Sequence, residues 1–351
     1  MTDDQPGDSP AGLPQEPKIV SRRKVLTADD YYQGVVEGDL AMLARAFTLV
    51  ESSAARHQLI AEELLIRLMP HSGRGIRVGI TGAPGAGKST FIEALGLALV
   101  HQYGLRVAVL AVDPSSGVTG GSILGDKTRM GRLAAEQKAF IRPSPSAGTL
   151  GGVANKTREC MLVAEASGFD VVLVETVGVG QSETMVAEMT DCFLGLMLPG
   201  AGDELQGIKR GLLELLDVIA VNKADGKNKE AAELAARQYH NALDSLAGRQ
   251  SGRTPAILTC SALTKTGIEA VWDAIEARCK NRRQSGEFDR RRQQQNLRWL
   301  WAIVEEQLRL TLHTHPGVQE ICNDIEAQVL AGTMPPAAGA RRLMDVIFPA
   351  K

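Results

Sequence analysis

The sequence predicts an α/β fold in which helices cover both faces of a mostly parallel sheet. From residue 76 onwards, short apolar runs of strand length alternate with longer stretches of helical periodicity. One strand-like run leads directly into a glycine-rich loop that opens a helix, which is typical of such folds. Helical periodicity on either side predicts an N-terminal helical segment and a C-terminal helical region.

The chain before the sheet is predicted to have two parts. Residues 1–27 are acidic and rich in proline, which indicates a disordered tail without a secretory signal or transit peptide. Residues 28–72 carry apolar side chains at helical spacing. Thr27 or Asp29 is expected to cap the first helix, and Pro70 with the following glycines to end the segment.

The central region, residues 73–282, is predicted to contain six strands. They span residues 77–81, 106–112, 171–175, 193–198, 218–222 and 256–260. Helices are expected between them at 88–103, 151–167, 227–246 and 268–280. Because ligands of parallel sheets bind beyond the carboxyl ends of the strands, we expect the functional motifs to meet at that edge.

Residues 283–351 are predicted to form the C-terminal helical region. One amphipathic helix presents an apolar face that consists of Leu297, Trp301, Val304, Leu308 and Leu312. Further helices are expected at 316–330 and from about 336 to 346. The arginines at 282, 283 and 290–292 are predicted to lie on a solvated helix face.

Composition narrows the class of protein. The net charge of -2 over 351 residues argues against nucleic acid or an anionic membrane as the main partner. No apolar run approaches the ~20 residues that a membrane span needs. The five cysteines contain no C-x-x-C pair, so we expect buried free thiols in a cytoplasmic protein.

The glycine-rich loop has the Walker A spacing G-x-x-x-x-G-K-S between a strand and a helix. Its backbone N–H groups and the helix N-terminus would surround the phosphates of a nucleotide. Lys88 would reach the β and γ phosphates, and the Ser89 hydroxyl would bind Mg²⁺. The predicted nucleotide contacts here are Gly82, Ala83, Pro84, Gly85, Ala86, Gly87, Lys88, Ser89 and Thr90.

Acidic residues at neighbouring strand ends are expected to complete the metal and γ-phosphate site. Glu175 and Gly178 stand where P-loop proteins usually carry D-x-x-G, and Gly178 can offer its N–H to the γ phosphate. Asp113 follows another strand, where it would lie beside the same ion or serve only as a turn residue.

The N-K-x-D element formed by Asn222, Lys223 and Asp225 predicts recognition of guanine. The Asp225 carboxylate can accept hydrogen bonds from N1–H and N2–H of guanine, whereas adenine would leave it unpaired. Lys223 would cover the base with its aliphatic stem, and Asn222 would join this loop to the P-loop. A second loop, Ser261, Ala262 and Leu263, resembles the segment that contacts guanine O6.

Hydrolysis is expected to be slow without a partner. Val179 occupies the position at which many small GTPases place a water-orienting glutamine, and Gln181 comes two residues later. Two glycine-rich loops with charged residues lie near the predicted site. In them, Asp126 is either a group near the metal or a solvated charge, and residues 198–209 are either a mobile switch or an ordinary loop.

Together these motifs resemble the methylmalonyl-CoA mutase-associated GTPases, over about residues 28–348. The resemblance rests on T-G-A-P-G-A-G-K-S-T, V-D-P-S-S, S-I-L-G-D-K-T-R-M, V-E-T-V-G-V-G-Q-S-E, P-G-A-G-D-E-L-Q-G-I-K and N-K-A-D. It implies a P-loop G domain with a C-terminal helical dimerisation arm. It also implies a metal site of Ser89, Asp113, Asp126 and Glu175, and a third switch that contains Asp203, Gln206 and Lys209.

The resemblance further implies a partner and a role. Such proteins are G-protein chaperones that assist cofactor loading, protection and rescue of adenosylcobalamin-dependent acyl-CoA mutases. A mutase, an adenosyltransferase and a second copy of the chain would be the partners, and coenzyme B12 need not touch this chain. Mg²⁺ and GTP or GDP would be the ligands.

The sequence leaves three alternative functions to consider. A nickel-delivery GTPase would carry His-rich or Cys/His metal sites, but the six histidines here are dispersed. An ATP-using kinase tied to amino-acid transport conflicts with the N-K-x-D element. A scaffold that binds nucleotide without turnover would not need Lys88, Ser89 and Glu175 together.

Overall fold

The computed structural model describes residues 25–112, 130–143, 150–176, 182–199, 210–247 and 254–348. Within this part of the chain, seven parallel strands form one sheet with the order β3-β2-β4-β1-β5-β6-β7. The strands are β1 (Ile76–Gly82), β2 (Val107–Val112), β3 (Ala139–Pro143), β4 (Val171–Thr176), β5 (Cys192–Met197), β6 (Val218–Val221) and β7 (Ala256–Thr259). The predicted α/β class with a parallel sheet is therefore confirmed.

Helices precede the sheet, connect its strands and follow it. Before the sheet lie α1 (Ala28–Val36), α2 (Leu40–Glu51) and α3 (Ala55–Leu68). The connecting helices are α4 (Lys88–His101), α5 (Gly131–Ala134), α6 (Leu150–Ala166), α7 (Ser182–Met189), α8 (Arg210–Leu213) and α9 (Lys229–Ala247). After the last strand come α10 (Ile268–Gln284), α11 (Glu287–Thr314), α12 (Pro316–Leu330) and α13 (Pro336–Ile347).

Both faces of the sheet are buried, which explains why its strands are continuous apolar runs rather than alternating ones. In β4, for example, Val172 and Val174 belong to one apolar cluster and Leu173 to the other. Helices α4 and α10 cover the face that contains Leu173. Helices α6, α7 and α9 cover the opposite face.

The N-terminal helices extend the second apolar layer. Thr27 caps α1 through a capping box with Asp30, so the first of the two predicted caps is the one observed. Leu43 and Phe47 of α2 are fully buried, and they belong to the apolar cluster on the sheet face that α6 covers. Phe47 stacks on Phe140 of β3, with 5.3 Å between the ring centroids. The segment thus packs on the sheet region through a shared core.

Strand β3 was absent from the sequence-based prediction. Its five residues include Arg142 and Pro143 and lack an uninterrupted apolar run. The strand lies at the edge of the sheet next to β2, where one side of the backbone is unpaired and proline is tolerated. The six predicted strands are all present, and their ends differ from the predicted ones by one residue.

The prediction of a solvated arginine face is wrong for most of that run. Arg282 is buried and donates to Asp217, and Arg292 donates to both Asp191 and Glu165. Arg291 donates to the carbonyl oxygen of Ala187. Charge patterning alone could not reveal this, because the acidic partners lie 65 to 127 positions away in sequence. Arg283 and Arg290 are exposed, as predicted.

The C-terminal helices leave apolar side chains in contact with solvent. Leu297, Trp301 and Leu308 on α11 are 57%, 58% and 54% exposed. At 100° per residue these three positions lie within about 40° of one another around the helix axis. Among the described residues, no helix is both long enough and apolar enough to cross a bilayer.

Candidate nucleotide site

The P-loop follows the central part of the sheet. Strand β1 lies between β4 and β5, so the loop after Gly82 emerges beside Glu175 and beside the end of β5. Gly82 has φ +154°, and a Cβ atom there would collide with the carbonyl oxygen of Leu196. This close approach of two backbones explains why the first position of the motif is glycine.

Gly87, the second glycine of the G-x-x-x-x-G-K-S spacing, precedes the first residue of α4. Gly87 has φ +87° and stands at the N-cap of α4, where a Cβ atom would lie 3.0 Å from Asn222 Nδ2. The backbone then turns directly into the helix at Lys88, so the helix N-terminus faces the loop. This arrangement of glycines and helix dipole favours an anion such as a phosphate.

The side chain of Lys88 folds back onto the P-loop. Its Nζ donates to the carbonyl oxygens of Gly82, at 2.8 Å, and Ala83, at 3.4 Å. Burial lowers the pKa of Lys88, while the carboxylates of Glu175 and Glu183 act in the opposite direction. The ammonium group is therefore held within the P-loop by backbone carbonyl oxygens.

Two of the predicted metal ligands meet. Ser89 Oγ donates to Glu175 Oε1 at 3.1 Å, which brings the first turn of α4 to the end of β4. A hydroxyl and a carboxylate are the hard oxygen donors that Mg²⁺ prefers, so this pair fits the ion. Within the described ranges there is no group of three or more His, Cys, Asp or Glu side chains suited to a metal.

Asn222 connects the P-loop to the predicted base site. Its Nδ2 donates to the carbonyl oxygen of Ala86 at 2.8 Å, and its Oδ1 accepts from the N–H of Ala262 at 3.0 Å. The side chain is 1% exposed. Both ends of a buried amide are thus satisfied by the two loops that it joins.

The two predicted base loops are held together by Asp225 and Ser261. The Ser261 hydroxyl donates to Asp225 Oδ1 at 2.6 Å and accepts from the N–H of Thr264 at 3.1 Å. The N–H of Ala224 also donates to the carbonyl oxygen of Cys260 at 2.9 Å. Lys223 adopts φ +61°, a left-handed conformation that is uncommon outside glycine. Leu263 is 78% exposed.

Three polar residues beside the P-loop were missed by the sequence analysis. Thr176 Oγ1 donates to Thr81 Oγ1 at 3.0 Å, and Thr81 Oγ1 donates to Glu183 Oε1 at 3.1 Å. The available signal was their position, since Thr81 directly precedes Gly82 and Thr176 directly follows Glu175.

Some predicted residues fall outside the described part of the chain. They are Asp113, Asp126, Gly178, Gln181, Asp203, Gln206 and Lys209. Their proposed roles in metal binding, catalysis and switching stay predictions.

Comparison with known proteins gives one consistent family. The family described as methylmalonyl Co-A mutase-associated GTPase MeaB matches residues 43–316. The GTPase ArgK of Escherichia coli K12 is 49% identical over 311 residues, which cover 89% of this chain and 94% of that protein. The mouse protein named methylmalonic aciduria type A homolog, mitochondrial, is 42% identical over 344 residues, with 95% and 83% covered.

A solved structure agrees with these relatives. A crystal structure titled LAO/AO transport system kinase superposes with a TM-score of 0.72 at 41% sequence identity. The match covers 91% of this chain and 97% of that one. The strand order and the P-loop position therefore belong to a fold already seen in a relative of substantial identity.

Proposed function

The chain belongs to the MeaB family of methylmalonyl Co-A mutase-associated GTPases and is itself a GTPase, and from this premise we propose that it acts as a slow GTP-dependent chaperone of an adenosylcobalamin-dependent acyl-CoA mutase. In this role it assists cofactor loading, protection and reactivation of the mutase. The observation that supports a nucleotide switch most directly is Asn222, which joins the phosphate loop to the base loop.

We assign the parts of the site as follows. The P-loop residues 82–90 surround the phosphates, and Lys88 neutralises the charge that develops on them during transfer. Asp225, oriented by Ser261, accepts from N1–H and N2–H of guanine. Ser89 and Glu175 would hold Mg²⁺, which would neutralise negative charge on the phosphates.

The slow rate follows from the chain's own residues. Val179 stands where many small GTPases place the glutamine that orients water, so a partner or a rearrangement has to supply that function. We propose that Gln181 and the segment with Asp203, Gln206 and Lys209 take part in this step, and that Asp113 and Asp126 lie near the ion. Strand β5, which leads towards residues 200–209, pairs directly with β1 at Gly82.

The exposed face of α11 supports a homodimer. Leu297, Trp301 and Leu308 form a row of large apolar side chains on one side of the helix, and such rows mark interfaces. An adenosyltransferase is the further partner that we propose. The cysteines are free and four of the five are buried, which suits a reducing compartment such as the cytoplasm.

A reconstitution with purified methylmalonyl-CoA mutase tests this proposal. We expect GTP turnover by the chain alone to be slow and to rise at least tenfold when the mutase is added. Lys88→Ala should abolish turnover in both conditions while the protein stays folded. If the mutase neither binds the chain in a pull-down nor changes its turnover, the chaperone role is wrong and only the GTPase assignment stands.

A nickel-delivery role gains no support from the described residues. They contain no cluster of three metal-binding side chains, and the family that matches is described as a mutase-associated GTPase family.

A further inference from the structure

A chain of hydrogen bonds runs beneath the P-loop and connects three elements. It starts at Thr176 at the end of β4, passes through Thr81 at the end of β1, and ends at Glu183 in the first turn of α7. Both threonines are fully buried. A carboxylate only accepts hydrogen bonds, so Thr81 must donate to Glu183 and therefore accept from Thr176.

The two threonines of this hydrogen-bond network are next in sequence to residues that would perform hydrolysis. Thr81 is bonded to Gly82 of the P-loop, and Thr176 is bonded to Glu175. Burial lowers the pKa of Lys88, and the carboxylates of Glu175 and Glu183 act in the opposite direction. These hydrogen bonds therefore link the strand that leads into the P-loop to the end of the strand that carries Glu175.

Helix α7 packs closely on β1. A Cβ atom at Gly79 would lie 2.7 Å from Val186 Cγ1 and 2.9 Å from Thr190 Oγ1, so the helix contacts the strand backbone itself. Val186 is fully buried. The first turn of this helix, where Glu183 lies, is joined to the end of β1 by the hydrogen bond from Thr81.

We propose that Glu183 is a positioning residue for GTP hydrolysis, which acts by fixing the first turn of α7 to the P-loop strand through the hydroxyl of Thr81. The inference rests on hydrolysis at the P-loop as proposed above. Misplacement of reacting groups by about 1 Å can slow a reaction by about 10²-fold, so loss of this contact affects turnover strongly. GDP binding uses the base loop and the P-loop backbone and is affected little.

The test compares isosteric and conservative variants in the full chain. Thr81→Val removes the hydroxyl at nearly constant shape, and Thr81→Ser retains it. Glu183→Ala removes the acceptor, while Glu183→Gln retains an acceptor oxygen without the charge. Glu188→Gln is the matched control, because Glu188 lies on the same helix and acts on Arg158 instead. Single-turnover GTP hydrolysis, GDP affinity and thermal unfolding are measured for each.

We expect Thr81→Val and Glu183→Ala to lower the hydrolysis rate at least tenfold, with GDP affinity within threefold of the parent. Thr81→Ser, Glu183→Gln and Glu188→Gln should stay within threefold in rate. The double variant Thr81→Val/Glu183→Ala should be no slower than the slower single variant, because both break one contact. A merely structural role would instead lower GDP affinity and melting temperature together with the rate.

Two further results would overturn the inference, and they can be told apart. If Lys88→Ala abolishes turnover while Thr81→Val and Glu183→Ala stay within twofold of the parent, the site is correct and the positioning role is wrong. If Lys88→Ala leaves turnover unchanged, the P-loop itself is not the hydrolytic site, and the inference fails with it.

Discussion

Arg282 donates to both carboxylate oxygens of Asp217, at 2.5 Å and 3.0 Å, and the two side chains are only 2% and 5% exposed. Asp217 also accepts from the N–H of Phe193 and from Arg278 Nε. Arg282 lies near the end of α10, and Asp217 directly precedes β6. The pair therefore attaches the start of the C-terminal helical region to the amino-terminal edge of the sheet.

Replacing Arg282 should destabilise the fold. Arg282→Met would leave Asp217 buried with only part of its hydrogen bonds, and breaking such a pair costs about 3–5 kcal/mol. Urea unfolding should show this loss. Arg290→Met is the control, because Arg290 is exposed and bonds its own helix start. A loss under about 1 kcal/mol for Arg282→Met would contradict the assigned role of the pair.

The same pair shows what sequence reasoning could and could not provide. The strands of the sheet were predictable because burial on both faces requires continuous apolar runs. The partners of Arg282 and Arg292 were not, because an arginine contacting a distant aspartate has the same local sequence as a solvated one. Strand β3 was missed because an edge strand with Pro143 needs no long apolar run.

In the candidate site too, residues within one loop were predictable from the sequence, whereas contacts between distant positions were not. Contiguous motifs predicted the P-loop and the base-recognition role of Asp225, since the spacing of residues within one loop is fixed by its backbone. Thr81 and Glu183 both lie within motifs of the sequence, but their contact joins positions 102 residues apart, so no local pattern indicated it. Asn222 was predicted to join its own loop to the P-loop, which its hydrogen bond to Ala86 does; its bond to Ala262 in the second base loop was not predicted.

Removal of the Asn222 side chain should weaken nucleotide binding and stability together. Asn222→Ala leaves the carbonyl of Ala86 and the N–H of Ala262 without their partners, at a cost of about 1–3 kcal/mol. We expect GDP affinity to fall about tenfold or more by calorimetry. Asn281→Ala, on the exposed side of α10, is the control and should change neither quantity. Unchanged GDP affinity in Asn222→Ala would show that the two loops hold their positions independently.

Asp225 should determine which purine is bound. Asp225→Asn keeps one acceptor oxygen for N1–H and replaces the other with an N–H donor. That donor suits O2 of xanthine but not the N2–H donors of guanine, so guanine is disfavoured and xanthine is favoured. We expect GDP affinity to fall about a hundredfold and the affinity for xanthosine diphosphate to rise. Ser261→Ala should give a smaller loss without the change in preference, because it removes only the hydrogen bond that orients Asp225. An unaltered ratio of the two affinities in Asp225→Asn would mean that another residue reads the base.

The apolar row on α11 should determine the oligomeric state. Trp301→Glu combined with Leu308→Glu places two charges on the proposed dimer face, where burial of a charge is costly. We expect a monomer by light scattering, with unchanged GDP affinity. Leu234→Glu is the control, because Leu234 is similarly exposed, at 51%, on α9. A dimer that persists in the double variant would place the interface elsewhere.

The cysteines should be protected from modification, and the strength of that protection should depend on pH. Burial raises the pKa of Cys260 to about 12, so its thiolate fraction at pH 8 is about 10⁻⁴. Cys160, Cys192, Cys260 and Cys279 are buried, whereas Cys322 is partly exposed. A thiol reagent at pH 8 should therefore label Cys322 in the native protein and the remaining four only after unfolding.

The raised pKa also has a stability consequence with a defined sign. The unfolded thiol titrates near 8.5, so between about pH 8.5 and 12 the folded state binds more protons at Cys260 than the unfolded state does. The contribution of the Cys260 thiol to the free energy of unfolding should then be fully present below pH 8.5. Through that window the free energy of unfolding should fall by up to about 1.4 kcal/mol per pH unit. Cys260→Ala should remove this part of the alkaline decline in urea unfolding. An identical pH slope in Cys260→Ala and the parent would show that the thiol of Cys260 is already accessible to ionisation in the native state.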